Sequence, residues 1–132
     1  MSHQKRFNEG KPQLKYIMCY PNAVKGLAEI QKVGEEKYGP YNFMKGCPAS
    51  QSIDSGLRHL FAWWNGEDKD PETGVDHRYA FLFNVLQLAN NDDVEGFDDR
   101  PQGSKVSNHR EDPSHQPPNE FYAKEYQRDE QQ

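Results

Sequence analysis

Residues 52–65 read SIDSGLRHLFAWWN, and this stretch decides the fold class of the chain. Its large apolar residues recur with the spacing i, i+4, i+7, i+8 and i+11: Ile53, Leu57, Leu60, Phe61 and Trp64. A repeat close to 3.6 residues places these side chains along one face of an α-helix. We therefore predict a helix from about residue 52 to residue 65 that carries a continuous apolar stripe.

Two further helices are predicted, one on each side of this stretch. The first runs from about residue 22 to residue 38, because Asn22 is a suitable N-cap and Gly39-Pro40 is a typical stop. The third starts within residues 70–73 and ends near Asn90, with Asp70 before Pro71 as its N-cap. Thr73 to Asp76 offers an alternative, capping-box-like start. No segment alternates as a strand would, so the predicted fold class is all-α.

The composition changes after Val94 and divides the chain into two parts. Residues 1–94 hold most of the apolar residues and are predicted to form a helical domain, whereas residues 95–132 form a polar C-terminal extension. On composition the extension resembles a disordered tail. We expect it instead to dock on an oligomer as an extended arm, through Phe121, Tyr122 and Tyr126. With 33% hydrophobic residues the core is lean, and a lean core favours stabilisation by self-association.

Charge and cysteine usage exclude several classes of function. A net charge of −5 argues against a general nucleic-acid binder, which usually carries a basic stripe. Cys19 and Cys47 are isolated and fit free thiols in a reducing cytoplasm better than a disulfide framework or a zinc site. No signal peptide is visible, and no apolar run has the length of a membrane span. We therefore expect a cytoplasmic protein without a nucleic-acid or membrane partner.

Two acidic clusters are the candidate metal-binding elements. Glu35 and Glu36 lie near the C-terminal end of the first predicted helix, where the helix dipole disfavours negative charge and a bound cation would offset it. Glu67 and Asp70 form an E-x-x-D pair, which would place both carboxylates on one side of a helical turn. Carboxylates suit Mg²⁺ or Mn²⁺, and such ions can clamp phosphate oxygens. The alternatives are a solvated acidic surface and, for Asp70, a helix cap.

Cations and an aromatic loop could complete a nucleotide site around these acids. The cations available to neutralise a polyphosphate are Lys11, Lys37, Arg58 and Lys69. The Gly- and Pro-rich segment 39–50 contains Asn42 and Phe43, and its aromatic residues could either plug the core or form a wall on which a base stacks. His59, at the edge of the apolar stripe, fits a hydrogen-bonded structural role by its position alone.

Several motifs in order resemble one known family. They are Arg6-x-x-x-Gly10-Lys11-Pro12, Gly34-Glu-Glu-Lys-Tyr-Gly-x-x-Asn42-Phe43, Ile53-Asp-Ser-Gly-Leu-Arg-His-Leu60, Gly66-Glu67-x-x-Asp70-x-Glu72-x-Gly74-x-x-His77, and Asn84. Together they resemble the phage-associated dATP/dGTP diphosphohydrolases related to MazG, and the MazZ type most of all. The resemblance covers roughly residues 6–90 and leaves out the C-terminal extension.

The resemblance implies a fold, a reaction and partners. The fold would be a MazG-like helical bundle completed by oligomerisation into a dimer or tetramer. The reaction would convert a deoxynucleoside triphosphate and water into the monophosphate and pyrophosphate, with two or three Mg²⁺ or Mn²⁺ ions in each site. For the MazZ type the substrate would be dGTP, with dATP or GTP as further possibilities. Its dGMP product would feed the synthesis of 2-aminoadenine nucleotides for a phage genome in the host cytoplasm.

The resemblance also implies roles for individual residues. Members of the broader MazG group carry E-x-x-E on one helix and E-x-x-D on the next, and Glu67 and Asp70 match the second motif. The first motif departs at Tyr38, which leaves Asp76 or His77 as alternative ligands. The implied catalytic residues are Glu36, Glu67 and Asp70, and the implied metal ligands are Glu35, Glu36, Glu67 and Asp70. The implied substrate-binding residues are Lys11, Lys37, Asn42, Phe43, Arg58, His59, Lys69 and His77.

A second hypothesis is a non-catalytic helical module that binds a nucleotide or another protein. On this hypothesis the acids cap and solubilise helix ends, and the C-terminal extension is the working surface. It predicts no pyrophosphate release from any deoxynucleoside triphosphate in the presence of Mg²⁺ or Mn²⁺.

Overall fold

The computed structural model describes residues 2–91 and 94–101, and this part of the chain is helical. Its elements in order are a 3₁₀ helix Leu14–Cys19, helix α1 Pro21–Tyr38, a 3₁₀ helix Asn42–Lys45, helix α2 Ala49–Trp64 and helix α3 His77–Asn90. Within these residues the extended pairing is limited to one antiparallel bridge between Lys69 and Asp76. The predicted all-α fold class is confirmed.

Helix α1 has the predicted end and a slightly different start. It ends at Tyr38, and Gly39 follows with φ 91° and an amide that donates to the carbonyl of Glu35. Glycine reaches this left-handed backbone region without the steric penalty that a Cβ would bring. Asn22 is not the N-cap as predicted, because the helix already begins at Pro21. Proline suits the first helical position, where its missing N–H is not needed.

Helix α3 starts later than predicted, at His77 instead of within residues 70–73. Asp70 is therefore not its N-cap. Asp76 holds that position, and its carboxylate accepts a 2.9 Å hydrogen bond from the backbone amide of Arg78. The Arg78 side chain donates two further bonds to the same carboxylate, at 3.1 and 2.9 Å. The first of these bonds satisfies a backbone amide that the first turn of a helix otherwise leaves unpaired.

Helix α3 is the central helix and packs against both α1 and α2. Small residues allow the close approach on each side. A Cβ added to Gly26 of α1 would overlap the ring of Tyr79, and one added to Gly56 of α2 would lie 3.2 Å from Asn84. Ser52, one turn before Gly56 on the same side of α2, is also buried. The face of α2 that meets α3 is thus formed by its small residues.

The apolar stripe predicted on α2 is largely exposed in the single chain. Ile53 and Leu57 are each 40% exposed, Phe61 is 60% exposed and Trp64 is 78% exposed. This stripe is offset by one residue from the face carrying Ser52 and Gly56, which corresponds to about 100° around a helix. Among the described residues, Val75 and Ala80 are the buried hydrophobic ones. A single chain therefore leaves an apolar helix face without a partner.

The start of the predicted C-terminal extension contacts the beginning of α2. The amide of Ala49 donates to the carbonyl of Phe97 at 2.7 Å, and the amide of Ser50 donates to the Asp99 carboxylate at 2.9 Å. The Ser50 hydroxyl donates to the other carboxylate oxygen. The bond from the Ser50 hydroxyl, and after it the bond from the Ser50 amide, hold the pKa of Asp99 below its ordinary value. The predicted arm residues Phe121, Tyr122 and Tyr126 lie outside the described residues.

Membrane insertion through a helix finds no support in residues 2–91 and 94–101. None of their helices combines the length and the apolar character that crossing a bilayer requires.

We predict that Gly26→Ala lowers the free energy of unfolding by about 1–3 kcal/mol, because the added methyl group overpacks the contact with Tyr79. The matched control is Gly34→Ala in the same helix, where nothing lies within 4 Å of the new Cβ. The control should be neutral or stabilise by up to about 1 kcal/mol, since alanine has the higher helix propensity. Urea unfolding of both variants measures the difference. Equal effects would show that α1 does not approach α3 as closely as described.

We also predict that Asp76→Ala lowers the free energy of unfolding by about 0.5–2 kcal/mol through loss of the N-cap of α3. The exposed Asp54→Ala on α2 is the control and should change it by less than about 0.5 kcal/mol. Bonds from the Arg78 side chain and amide hold the pKa of Asp76 below its ordinary value of 3.8. The contribution of Asp76 should therefore be complete above pH 3.8 and disappear as the pH falls through the lowered pKa. Denaturant titrations at several pH values would contradict this if the gap between wild type and Asp76→Ala widened on acidification.

A candidate metal and nucleotide site

The loop that joins α2 to α3 is held by its own backbone. Gly66, with φ 100°, leads the chain out of α2. The amide of Asp70 donates to the carbonyl of Val75 at 2.9 Å, and the amide of His77 donates to the carbonyl of Asp68 at 2.9 Å. Residues 68–70 and 75–77 therefore run side by side, and the buried Val75 anchors the loop.

This loop changes the geometry expected for the E-x-x-D pair. Glu67 and Asp70 do not share a helical turn, because α2 ends at Trp64 and both residues lie in the loop. Asp70 uses carboxylate oxygen Oδ1 to accept a 2.9 Å bond from the amide of Glu72. Its other oxygen, Oδ2, lies 4.0 Å from Nδ1 of His59 on α2. The turn back of the loop thus directs Asp70 toward a histidine instead of toward Glu67.

Two histidines and Asp70 form a compact cluster. His59 comes from α2 and His77 is the first residue of α3, and their Nδ1 atoms are 2.9 Å apart. One ligand atom from each of His59, Asp70 and His77 lies within 4.8 Å of the other two. His77 is buried, with 4% of its surface exposed. Neutral imidazole and carboxylate are common metal ligands, so this arrangement has the chemistry of a divalent cation site.

Glu67 lies on the far side of His77 from His59. Its Oε1 is 2.7 Å from Nε2 of His77, so an Nε2–H of His77 donates to the Glu67 carboxylate. In a neutral ring this leaves the Nδ1 lone pair directed at His59. Glu67 therefore orients His77 and selects its tautomer.

The environment of His59 favours its neutral form. Burial, and the neighbouring His77 after it, lower the pKa of His59 below its ordinary value of 6.5, while Asp70 acts in the opposite direction. Since the lowering effects prevail, His59 is mainly uncharged at neutral pH, which is the form that binds metal.

A cavity of about 610 Å³ opens beside this cluster. It lies between the C-terminal half of α1, the segment after it, and the facing sides of α2 and α3. Five of the residues predicted for the site contribute to its wall: Glu35, Lys37, Asn42, Phe43 and His59. The volume is within the range of about 300–1,000 Å³ that is typical of small-molecule sites. His59 belongs both to the cavity wall and to the cluster, so it connects the two.

The aromatic part of the wall is fixed to α3. Gln87 donates a 3.0 Å hydrogen bond to the carbonyl of Phe43. The Phe43 ring meets Phe83 edge to face, with centroids 6.3 Å apart and an interplanar angle of 78°. Tyr41, whose ring centroid lies 6.4 Å from that of Phe43, has a left-handed backbone with φ 63°. A non-glycine residue in this conformation is uncommon and needs support from surrounding contacts.

The cation nearest the acidic loop on the cavity wall is Lys37. Its Nζ lies 2.9 Å from Oε1 of Glu72, which joins the end of α1 to the loop between α2 and α3. The hydrogen bond to Glu72, followed by the charge of that carboxylate, raises the pKa of Lys37 above its ordinary value. Both side chains are largely exposed, so the pair contributes little to stability.

The structure does not gather every residue predicted for the site. Glu36 is exposed on α1 and is not part of the cavity wall, whereas its neighbour Glu35 is. Lys11 lies in the exposed N-terminal segment, and Arg58 and Lys69 are also exposed and absent from the wall. In the single chain, the predicted residues that do come together form two groups that share His59, one along the cavity and one at the histidine cluster.

Several residues at the site were not singled out from the sequence for these roles. Thr73 and Gln87 contribute to the cavity wall, and Glu72 pairs with Lys37. His59 was predicted from its position to be a hydrogen-bonded residue, and its partner, His77 on α3, was not identified from the sequence. In the sequence, Gly74 could have indicated the chain reversal between Asp70 and Val75, and its φ is 74° in the structure. A glycine turn flanked by polar residues is typical of a chain reversal, and that reversal brings Asp70 and His77 together.

Comparison with known proteins adds two findings. Residues 1–100 match the family model described as dATP/dGTP diphosphohydrolase, N-terminal. The chain is also 30% identical over 109 residues to a protein of Salmonella phage PMBT28 named dATP/dGTP diphosphohydrolase. That alignment covers 80% of this chain and 36% of the relative, so the chain spans about a third of the relative's length. No solved structure matches the chain.

Proposed function

The chain belongs to the dATP/dGTP diphosphohydrolase N-terminal family, and from this premise we propose that it hydrolyses deoxynucleoside triphosphates. The products would be the monophosphate and pyrophosphate. The observation that carries this proposal is the cavity of about 610 Å³, which has an aromatic wall and shares His59 with a cluster of metal-ligand side chains. The flat face of a nucleobase can stack on the aromatic wall, and the anionic triphosphate can bind cations held by the metal-ligand side chains.

The aromatic segment is our candidate for the base-binding end. Phe43 is held by Gln87 and Phe83, so its ring is preorganised for contact with a flat apolar ligand. Asn42 on the same 3₁₀ helix lines the cavity and offers an amide that can both donate and accept hydrogen bonds. We propose guanine as the preferred base, so that dGTP is the preferred substrate and dATP the alternative; the relative's name contains both nucleotides.

The acidic loop and the end of α1 are our candidates for the phosphate-binding end. We propose that Glu35, Glu36, Glu67 and Asp70 hold two or three Mg²⁺ or Mn²⁺ ions, either as ligands or by orienting a ligand. Carboxylate oxygens fit these hard cations, and the Asp70 carboxylate is already directed at His59. Bound ions of this kind would neutralise phosphate charge and lower the pKa of a water molecule.

The protein's own side chains would position the substrate. Lys37 lies on the cavity wall and can exchange its exposed contact with Glu72 for a phosphate oxygen. Lys11, Arg58, Lys69 and His77 remain proposed substrate-binding residues from the family resemblance. His77 is buried between Glu67 and His59, so it acts on the substrate through these neighbours.

The wider role that we propose is supply of dGMP for synthesis of 2-aminoadenine nucleotides in a phage-infected cell. The setting would be the host cytoplasm. Free thiols at Cys19 and Cys47 are in keeping with a reducing compartment.

We predict that Asp70→Asn lowers kcat/KM for dGTP by at least about 100-fold, because an amide replaces the charged oxygen directed at His59. Glu67→Gln should have an effect in the same direction through His77. Asp68→Asn is the matched control, an exposed acid in the same loop that should leave the rate within about twofold. The measurement is chromatography of monophosphate and pyrophosphate from each of the four dNTPs with Mg²⁺ or Mn²⁺.

Two results of this assay would contradict the proposed function. One is the absence of pyrophosphate release by the wild-type protein with every nucleotide and metal, which would favour a non-catalytic nucleotide-binding or interaction module. The other is near-normal turnover by both Asp70→Asn and Glu67→Gln. Circular dichroism and thermal unfolding of each variant would verify that its fold is intact.

We also propose that the working form is an oligomer of this chain, a dimer or a tetramer. The support is the α2 stripe formed by Ile53, Leu57, Phe61 and Trp64, which the single chain leaves exposed. An exposed apolar helix face of this kind commonly marks a protein interface. A second copy is the partner that we propose, since the helical domain has a lean core and the family resemblance implies self-association.

We predict that Phe61→Glu reduces the molecular mass measured by light scattering to that of a single chain, because a charge would be buried in the interface. Gln51→Glu, an exposed position near the start of the same helix, is the control and should preserve the mass. A wild-type protein that is already monomeric at micromolar concentration would contradict self-association. An unchanged mass for Phe61→Glu would place the interface elsewhere.

A further inference from the structure

The histidine pair is the feature with the clearest unassigned chemistry. His59 and His77 come from different helices, and their Nδ1 atoms are 2.9 Å apart. Two nitrogens that each lie about 2.1 Å from one metal ion are separated by roughly 3.0–3.4 Å, for ligand–metal–ligand angles between 90° and 109°. The observed separation is close to this range, so small side-chain movements could admit an ion between the rings.

Asp70 supplies a third donor with a free oxygen. Its Oδ1 is used by the amide of Glu72, which fixes the carboxylate, while Oδ2 lies 4.0 Å from His59 Nδ1. Within residues 2–91 and 94–101 we find no hydrogen-bond donor to Oδ2. The Asp70 side chain is only 15% exposed. A shielded carboxylate oxygen without a donor is unfavourable unless a cation or an ordered water molecule satisfies it.

Glu67 provides the outer contact that a metal-bound histidine usually has. It accepts the Nε2–H of His77 at 2.7 Å, so the Nδ1 lone pair of His77 is directed at His59. A carboxylate that holds the distal N–H of a ligating imidazole fixes the ring orientation and raises its basicity as a ligand. Without a metal, the same two rings can share one hydrogen bond, with His59 donating to His77. A titration with metal ions distinguishes the metal-bound pair of imidazoles from the hydrogen-bonded pair.

We propose that His59 Nδ1, His77 Nδ1 and Asp70 Oδ2 form a binding site for a divalent first-row transition metal, with Glu67 as the outer partner that positions His77. Two imidazole ligands favour ions such as Mn²⁺, Co²⁺ or Zn²⁺ over Mg²⁺, which prefers oxygen ligands. In its use for phosphate chemistry this site rests on the proposed function, because His59 also lines the nucleotide cavity. Cation binding by the three residues is independent of hydrolysis.

The position of the site explains how it would serve the cavity. One ligand, His59, belongs to the cavity wall, while His77 is buried behind it and does not line the cavity. Asp70 does not line the cavity either, so the site would meet the cavity through His59.

The test uses the full chain, freed of metal with a chelator. Calorimetric titration with Mn²⁺, Co²⁺ and Mg²⁺ should show at least tenfold tighter binding of Co²⁺ than of Mg²⁺. His59→Gln and Asp70→Asn should each weaken Co²⁺ binding by at least tenfold, and Glu67→Ala by about 10- to 100-fold. Asp68→Asn is the matched control and should bind Co²⁺ as the wild type does. His59 is chosen as the main variant because His77 is buried and begins α3.

A spectroscopic readout reports the ligands directly. Pulsed electron paramagnetic resonance of the Mn²⁺-loaded protein should show coupling to ¹⁴N nuclei, and His59→Gln should reduce it. Absence of nitrogen coupling in the wild type, or Co²⁺ binding that His59→Gln leaves unchanged, would overturn the proposal. Nitrogen-coupled metal without dNTP hydrolysis would support the site and contradict the proposed enzyme. Hydrolysis that depends on Asp70, in a protein whose bound Mn²⁺ shows no nitrogen coupling, would support the proposed enzyme and contradict the histidine metal site.

Discussion

The close approach of α3 to both of its neighbours is the constraint on which the rest of the structure depends. Gly26 on α1 and Gly56 on α2 provide the space, since a Cβ at either position would press on a side chain of α3. Small residues at these contacts bring backbones together, and within residues 2–91 and 94–101 the buried hydrophobic residues are Val75 and Ala80. Packing of this kind relies on shape more than on the area of apolar surface removed from water.

The same constraint creates the candidate site. Because α3 lies directly against α2, its first residue, His77, comes within hydrogen-bond distance of His59. The connecting loop must then reverse over a short distance, and its backbone bonds between Asp70 and Val75 and between His77 and Asp68 make that reversal specific. As a consequence Glu67 lies against Nε2 of His77, whereas Asp70 lies toward Nδ1 of His59. The acids, which look like one pair in the sequence, thus meet two different imidazoles.

Much of the fold could be predicted from the sequence, because helix periodicity and end signals are local. The all-α class and the end of α1 before Gly39 followed from such signals. The start of α3 was predicted too early because Asp70-Pro71 and Asp76 both resemble N-terminal signals. The difference arises in the loop, where Val75 is buried and the amide of Asp70 is bonded to its carbonyl. These tertiary contacts favour a loop over a helix at residues 70–76. Local sequence patterns do not include such contacts, so they could not predict the start of α3.

The sequence by itself determined the helices, the family and the residue types available for binding cations and nucleotides. Only the tertiary structure decided which of those residues meet. It placed Glu35 on the cavity wall and left Glu36 off it, and it joined His59 to His77 across two helices. It also turned the small residues of α2 inward and its apolar stripe outward. The physical reason is that periodicity defines the faces of a helix, whereas the steric fit between helices decides which face is buried.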